Sequence, residues 1–233
     1  MHIIKYLYIS IIFCGLCSCS TETLQPNTDT IGSNYFPLEK GSFRIYDVIE
    51  IEHVFASEND TSAFQLKEVV ADSFVNLEGG LSHLIHRFKR SQPEDNWTLD
   101  SVWSARKTGN FAVMTENNVP LMKMVFPLQE GKSWDGNSLN GKDTDEYTMT
   151  DVFRSYTLAD SVVVDKSVFI VQENENDNLL FRDIRHEVYG EDIGMLYKES
   201  IQLQYCAETN CIGQEIIETG RELKMWLTAY GNE

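Results

Sequence analysis

Cys206 and Cys211 bracket Ala207-Glu208-Thr209-Asn210 between two strand-like runs. Two thiols this close across a turn form a disulfide in an oxidising compartment, whereas a metal would need further Cys or His, and within thirty residues only His186 is available. The pair is therefore read as a hairpin-closing disulfide, worth roughly 2 kcal/mol on the loop-entropy model. Asp135 to Glu146 (DGNSLNGKDTDE) places oxygen donors at the first, third, ninth and twelfth positions of a calcium-type loop. It lacks a donor at the fifth position, carries Gly141 at the seventh where the sixth needs it, and has strand-like flanks, so an acidic, solvated turn is expected. His83 and His86 would share a helix face but point to opposite faces of a strand. His53 and His186 have no partner at a spacing that suggests a general base. Gly131-Lys132-Ser133 matches only the end of a phosphate-binding loop, since Phe126 stands where the first Gly belongs, and no G-x-S-x-G elbow occurs. No catalytic residue, metal-ligand set or cofactor site is expected, and the chain reads as a non-enzyme.

The elements that carry these residues are strands. Phe43, Ile45, Ile49 and Ile51 alternate with Arg44, Glu50 and Glu52, which predicts one apolar strand face, and Ile201, Leu203 and Tyr205 alternate with Gln202 and Gln204. Further runs span 64–74, 81–89, 97–106, 111–115, 121–126, 147–158, 162–171, 179–189, 195–205 and 216–227, separated by turn signals such as Glu78-Gly79-Gly80, Thr108-Gly109-Asn110 and Asn117-Asn118. No stretch makes a convincing three-turn amphipathic helix, and the best candidate, 63–71, suits a strand equally well. The expected fold is all-β: an antiparallel meander of about ten to twelve strands forming a curved half-barrel or barrel, lipocalin-like or lipoprotein-carrier-like.

Thirty-six acidic against 19 basic residues give a net charge of −17, and no basic cluster exceeds His86 to Arg90, so a nucleic-acid partner is not expected. Residues 1–18 carry one cation, Lys5, before an acid-free apolar run from Tyr6 to Leu16, the pattern of a secretory signal and too short to span a bilayer. Leu16-Cys17-Ser18-Cys19 resembles the lipobox of bacterial lipoproteins, with Leu at −3, Ser at −1 and Cys19 as acceptor. The resemblance implies that Cys19 is acylated with palmitate-type chains and anchors the mature chain to a membrane; Ser20 after it implies the outer membrane. Two or more chains make a stable anchor where one does not. Ser20 to Asn34 reads as a polar tether that reaches at most about 50 Å when extended, and 35–233 as a single β domain.

Phe36-Pro37-Leu38-Glu39-Lys40-Gly41 recurs as Phe126-Pro127-Leu128-Gln129-Glu130-Gly131. The echo is read as a shared turn recipe in preference to a duplicated half-sheet, because nothing else aligns. With the late segment Ile193-Gly194-Met195-Leu196-Tyr197-Lys198-Glu199, it resembles a group of β-rich bacterial lipoproteins without an assigned activity. Thr30, Ser101 and Ser161 follow Asp in D-[ST]-apolar triplets that resemble bacterial O-glycosylation sites, with Thr30 the best placed. The functional expectation is a non-enzymatic, membrane-anchored interaction or assembly module of the cell envelope, with a carrier or sensor of a lipid or other apolar ligand as the alternative.

Overall fold

The computed structural model describes residues 31–158 and 162–233. The signal segment, Cys19, Thr30 and Ser161 lie outside the described residues. Twelve strands follow one another: β1 (Ser42–His53), β2 (Asp60–Val75), β3 (Leu81–Arg90), β4 (Thr98–Lys107), β5 (Phe111–Glu116), β6 (Val119–Val125), β7 (Ser133–Asp135), β8 (Glu146–Thr157), β9 (Val163–Glu175), β10 (Phe181–Gly190), β11 (Gly194–Tyr205) and β12 (Ile217–Asn232). All belong to one antiparallel sheet in the order β6-β5-β4-β3-β2-β1-β12-β11-β10-β9-β8-β7. The first strand thus pairs with the last in mid-sheet, and the two edges, β6 and β7, are consecutive in sequence. Met122 N donates to the Gly136 carbonyl at 2.9 Å, and Trp134 Nε1 to the Met122 carbonyl at 2.8 Å, so the edges meet through a loop and an indole. The sheet is a nearly closed barrel, as the alternation predicts.

The echoed motif opens each six-stranded half, β1–β6 and β7–β12. Gly41 N donates to the Val70 carbonyl of β2 at 2.9 Å, and Gly131 N to the Met149 carbonyl of β8 at 2.8 Å. Ser42 N reaches back to the Glu39 carbonyl, and Lys132 N to that of Gln129. Both glycines have positive φ, 88° and 74°, which a side chain would strain. Phe36, Leu38, Phe126 and Leu128 are all buried in one cluster with Tyr35, Tyr147 and Met149. The motif is therefore more than a turn recipe: it starts each half and supplies the pegs that fill one end of the barrel, the base.

Two sequence expectations need correction. In β1 Tyr46 and Val48 are the buried pair, while Ile49 is exposed; the register shift opposite Ile45 and Tyr46 comes from an extra residue, Thr228, in β12 and leaves the alternation of β1 unbroken. The face shared by Tyr46, Val48, Arg44 and Glu50 lines the interior cavities, so the more polar side of this strand points inward. The packed body also begins before Tyr35. Gly32 and Ser33 are buried, the Ile31 carbonyl accepts from Leu128 N at 3.2 Å, and the Ser33 carbonyl accepts from Lys107 Nζ at 2.7 Å. These backbone contacts are invisible to composition, which sees only small polar residues.

Odd-numbered strands run from the base to the opposite end, the mouth. The mouth is formed by the loops after β1, β3, β5, β7, β9 and β11.

Candidate functional site

Across the barrel at mid-height, β5 and β6 face β10 and β11 through charged side chains. Lys123 of β6 bonds Glu187 of β10 at 2.7 Å and Glu116 of β5 at 2.8 Å, and Lys198 of β11 bonds Glu187 at 3.0 Å. Tyr189 Oη donates to the second Glu187 oxygen at 2.7 Å. Glu187 is 1% exposed and Lys123 4%. Burial pushes the Glu187 carboxyl up, but Lys123, Lys198 and the Tyr189 hydroxyl outweigh it and hold the group well below the usual carboxylate range. Burial likewise pulls the Lys123 ammonium down, and Glu116 and Glu187 more than reverse it. Both groups stay charged, and the Lys123–Glu187 pair joins the two halves of the chain.

Beside this network Arg87 of β3 donates to Glu68 of β2 at 3.0 Å and lies 3.6 Å from the Trp103 ring centre. A cavity of about 60 Å³ touches Tyr46, Ile85, Trp103, Lys123, Glu187 and Tyr189. It is a packing gap between the plugged base and the charges. Toward the mouth a wider chamber of about 340 Å³ opens, lined by Glu50, Phe64, Arg87, Lys89, Asp100, Trp103, Lys198, Gln202 and Arg221 among others. Arg221 bonds Glu50 at 2.8 Å, and Lys89 sits 3.6 Å from the Phe64 ring centre. The chamber sets four cations and three acids, in near balance, among apolar side chains that include Val48, Leu66, Leu223 and Met225.

The mouth rim is apolar along one arc. Val54 and Phe55 after β1, Leu179 and Leu180 before β10, Ile212 and Ile216 of the β11–β12 connection and Ile217 at the start of β12 are exposed. The strands concerned, β1, β12, β11 and β10, are consecutive neighbours. Two bonds tie the arc together: Tyr205 N to the Leu180 carbonyl and Cys206 N to the Ile216 carbonyl, both 2.8 Å.

The residues singled out in sequence scatter. Cys206 and Cys211 are joined, with Cα atoms 5.8 Å apart, and the bridge closes the rim connection. In the calcium-like turn Asp135 Oδ1 accepts from Asn137 N and Asp145 N, while Asp145 takes a bidentate pair from Arg185 at 2.8 and 3.1 Å, so these carboxylates are committed within the protein. His83 and His86 lie on β3, where strand alternation sends them to opposite faces. His53 bonds Glu222 at 2.8 Å, and His186 stacks on Phe169 at 4.7 Å. None of these meets another in a shared site. The interior network was missed by sequence reasoning, although a signal existed: Lys123 interrupts the apolar run Leu121-Met122-Lys123-Met124-Val125 of β6.

No family model matches the chain, and no curated protein matches it. Two solved structures are similar to it. One is described as a "putative lipoprotein" from Parabacteroides distasonis ATCC 8503, with 10% identity, a TM-score of 0.41, and coverage of 84% of this chain and 98% of that one. The other is described as a "putative exported protein with YmcC-like fold" from Bacteroides fragilis NCTC 9343, with 12% identity, a TM-score of 0.42 and the same coverages.

Proposed function

We propose that the chain is an exported lipoprotein of the bacterial envelope, acylated at Cys19 and held on the outer membrane, where it acts without catalysis as an interaction module. The observation that carries this reading is the apolar arc at the mouth, Val54, Phe55, Leu179, Leu180, Ile212 and Ile216, lying at the end opposite the one from which the N-terminal segment leaves. A cluster of large exposed side chains on consecutive strands costs solubility in isolation and is what a protein partner buries. The charged and polar side chains of the chamber behind the arc give such a partner groups to bond.

The carrier alternative is less favoured by the same geometry. An apolar ligand in the chamber would strip water from Arg87, Lys89, Asp100 and Arg221, and the gap beneath them, about 60 Å³, has no room for an acyl chain. The test is a photo-crosslinking amino acid at Phe55 in the full-length protein in its own cells, compared with the same probe in a Leu179→Ser, Ile216→Ser background. One discrete adduct that disappears in that background is expected. An undiminished adduct, or none, defeats the docking reading. In parallel Cys19→Ser should abolish palmitate labelling and membrane retention, and a variant that remained acylated would move the acceptor elsewhere.

A further inference from the structure

The base carries apolar residues that nothing in the fold explains. The β2–β3 hairpin extends there, with Val75 opposite Leu81 as its last pair. Leu77 at its tip is fully exposed, Val75 is 71% exposed, and Leu81 and Phe74 are also open to solvent. Phe74 and Val75 are adjacent in a strand, so they point to opposite faces, and the tip is apolar on both sides. A hairpin that only met the barrel wall would be apolar on one face. The two acids nearest the tip are paired: Glu78 accepts from Arg106 at 2.8 Å, and Asp72 from Lys40 at 2.9 Å. In a chain of net charge −17 this is a nearly neutral, apolar projection. A second tip at the same end, that of β8–β9, exposes Val162 and Val163. In the sheet order the two hairpins lie on opposite sides of the β1–β12 pair, one in each half.

The N-terminal segment enters at this end. The Ile31 carbonyl accepts from Leu128 N in the base plug, and Asp192 N donates to the Asn34 carbonyl. Eleven residues separate Cys19 from Ile31, a reach of at most about 40 Å. From these observations we infer that the base of the barrel is a membrane-seating surface, with the Phe74–Leu81 hairpin tip inserted into the interfacial region of the bilayer and the mouth pointed away from it. This rests on the acyl-anchor reading, which brings the base to the membrane. The acidic body is repelled by anionic headgroups, but the paired tip is not, and once anchored it gains by moving Val75, Leu77 and Leu81 out of water. The seat then fixes which way the barrel faces, a property that acyl chains on a tether do not supply.

The experiment uses the full-length acylated protein in phosphatidylcholine vesicles, with an environment-sensitive fluorophore attached through Leu77→Cys or, separately, Phe55→Cys. With Cys19 acylated, residues 1–18 removed and Cys206 joined to Cys211, the introduced thiol is the single free one. Quenching by a nitroxide carried on the lipid is expected to be several-fold stronger at position 77 than at 55, with a blue-shifted emission only at 77. Vesicle flotation is read on the same samples. Protein that floats but shows equal quenching at the two positions overturns the seat and leaves the anchor standing. Protein that does not float overturns the anchor and the seat together. A companion Leu77→Ser, Val75→Ser chain, labelled through Glu78→Cys, should lose the quenching of a Glu78→Cys chain that keeps both apolar residues, while still floating; retention of it would show that proximity and not insertion sets the signal.

Discussion

Removing Lys123 tests whether the charges spanning the barrel hold its two halves together. Lys123→Met keeps the length and apolar stem of the side chain but leaves Glu187, 1% exposed, with Lys198 and Tyr189 alone, and leaves Glu116 facing it. Breaking a buried pair from one side costs about 3–5 kcal/mol, whereas removing both partners is often neutral or better. With a urea slope of about 2–3 kcal/mol/M for a domain of this size, the single variant should unfold at a midpoint lower by roughly 1–2.5 M. Lys123→Met with Glu187→Gln should recover most of that loss. The pH dependence follows from the shifts. The Glu187 carboxyl is held below its unfolded value, so its contribution is complete above the ordinary carboxylate pKa of about 4.3 and fades as the pH falls toward the folded one. Without Lys123, burial raises that carboxyl, which protonates more readily, so the penalty of the single variant should shrink below about pH 4–5. A loss under about 1 kcal/mol at pH 7, or a double variant no better than the sum of its singles, would refute the view that these charges are tightly coupled.

Three further outcomes are expected. Cys206→Ala with Cys211→Ala should lower unfolding stability by about 2 kcal/mol, measured in urea with and without reductant, and reductant should affect only the parent chain. Phe36→Ala and Phe126→Ala, the equivalent pegs of the two halves, should each cost about 3–5 kcal/mol, and a clear inequality between them in denaturation would show that the echoed motif packs differently in each half. Gly32→Ala should destabilise the base, because φ is +77° and the new methyl would fall 2.4 Å from Leu128 Cγ; unchanged thermal unfolding would place Ile31 to Asn34 outside the cooperative unit.

The fold class was legible because alternation survives in strands such as β11, where Ile201, Leu203 and Tyr205 are buried and Gln202 and Gln204 are not. It misled in β1, where the even-numbered Arg44, Tyr46, Val48 and Glu50 line the interior although Ile45, Ile49 and Ile51 stand at odd-numbered positions. The three-residue β7 was too short to show a period at all. The disulfide was readable from spacing, since both partners are local. The interior network was not, because Glu116, Lys123, Glu187 and Lys198 come from four strands and their meeting depends on closure of the barrel. The echo of Phe36 and Phe126 was visible, but its meaning required the sheet order.

The pairing of β1 with β12 bears on how the protein comes into being. During synthesis β1 acquires β2 early, yet its other neighbour is β12, and the register from Ser42 opposite Asn232 to His53 opposite Gly220 cannot form until β12 has emerged. Such distant pairing makes for slow folding. It also makes β12 the least dispensable strand of the sheet. A chain cut before Ile217 would not fray at its margin; it would part down the middle, baring the edges of β1 and β11 together.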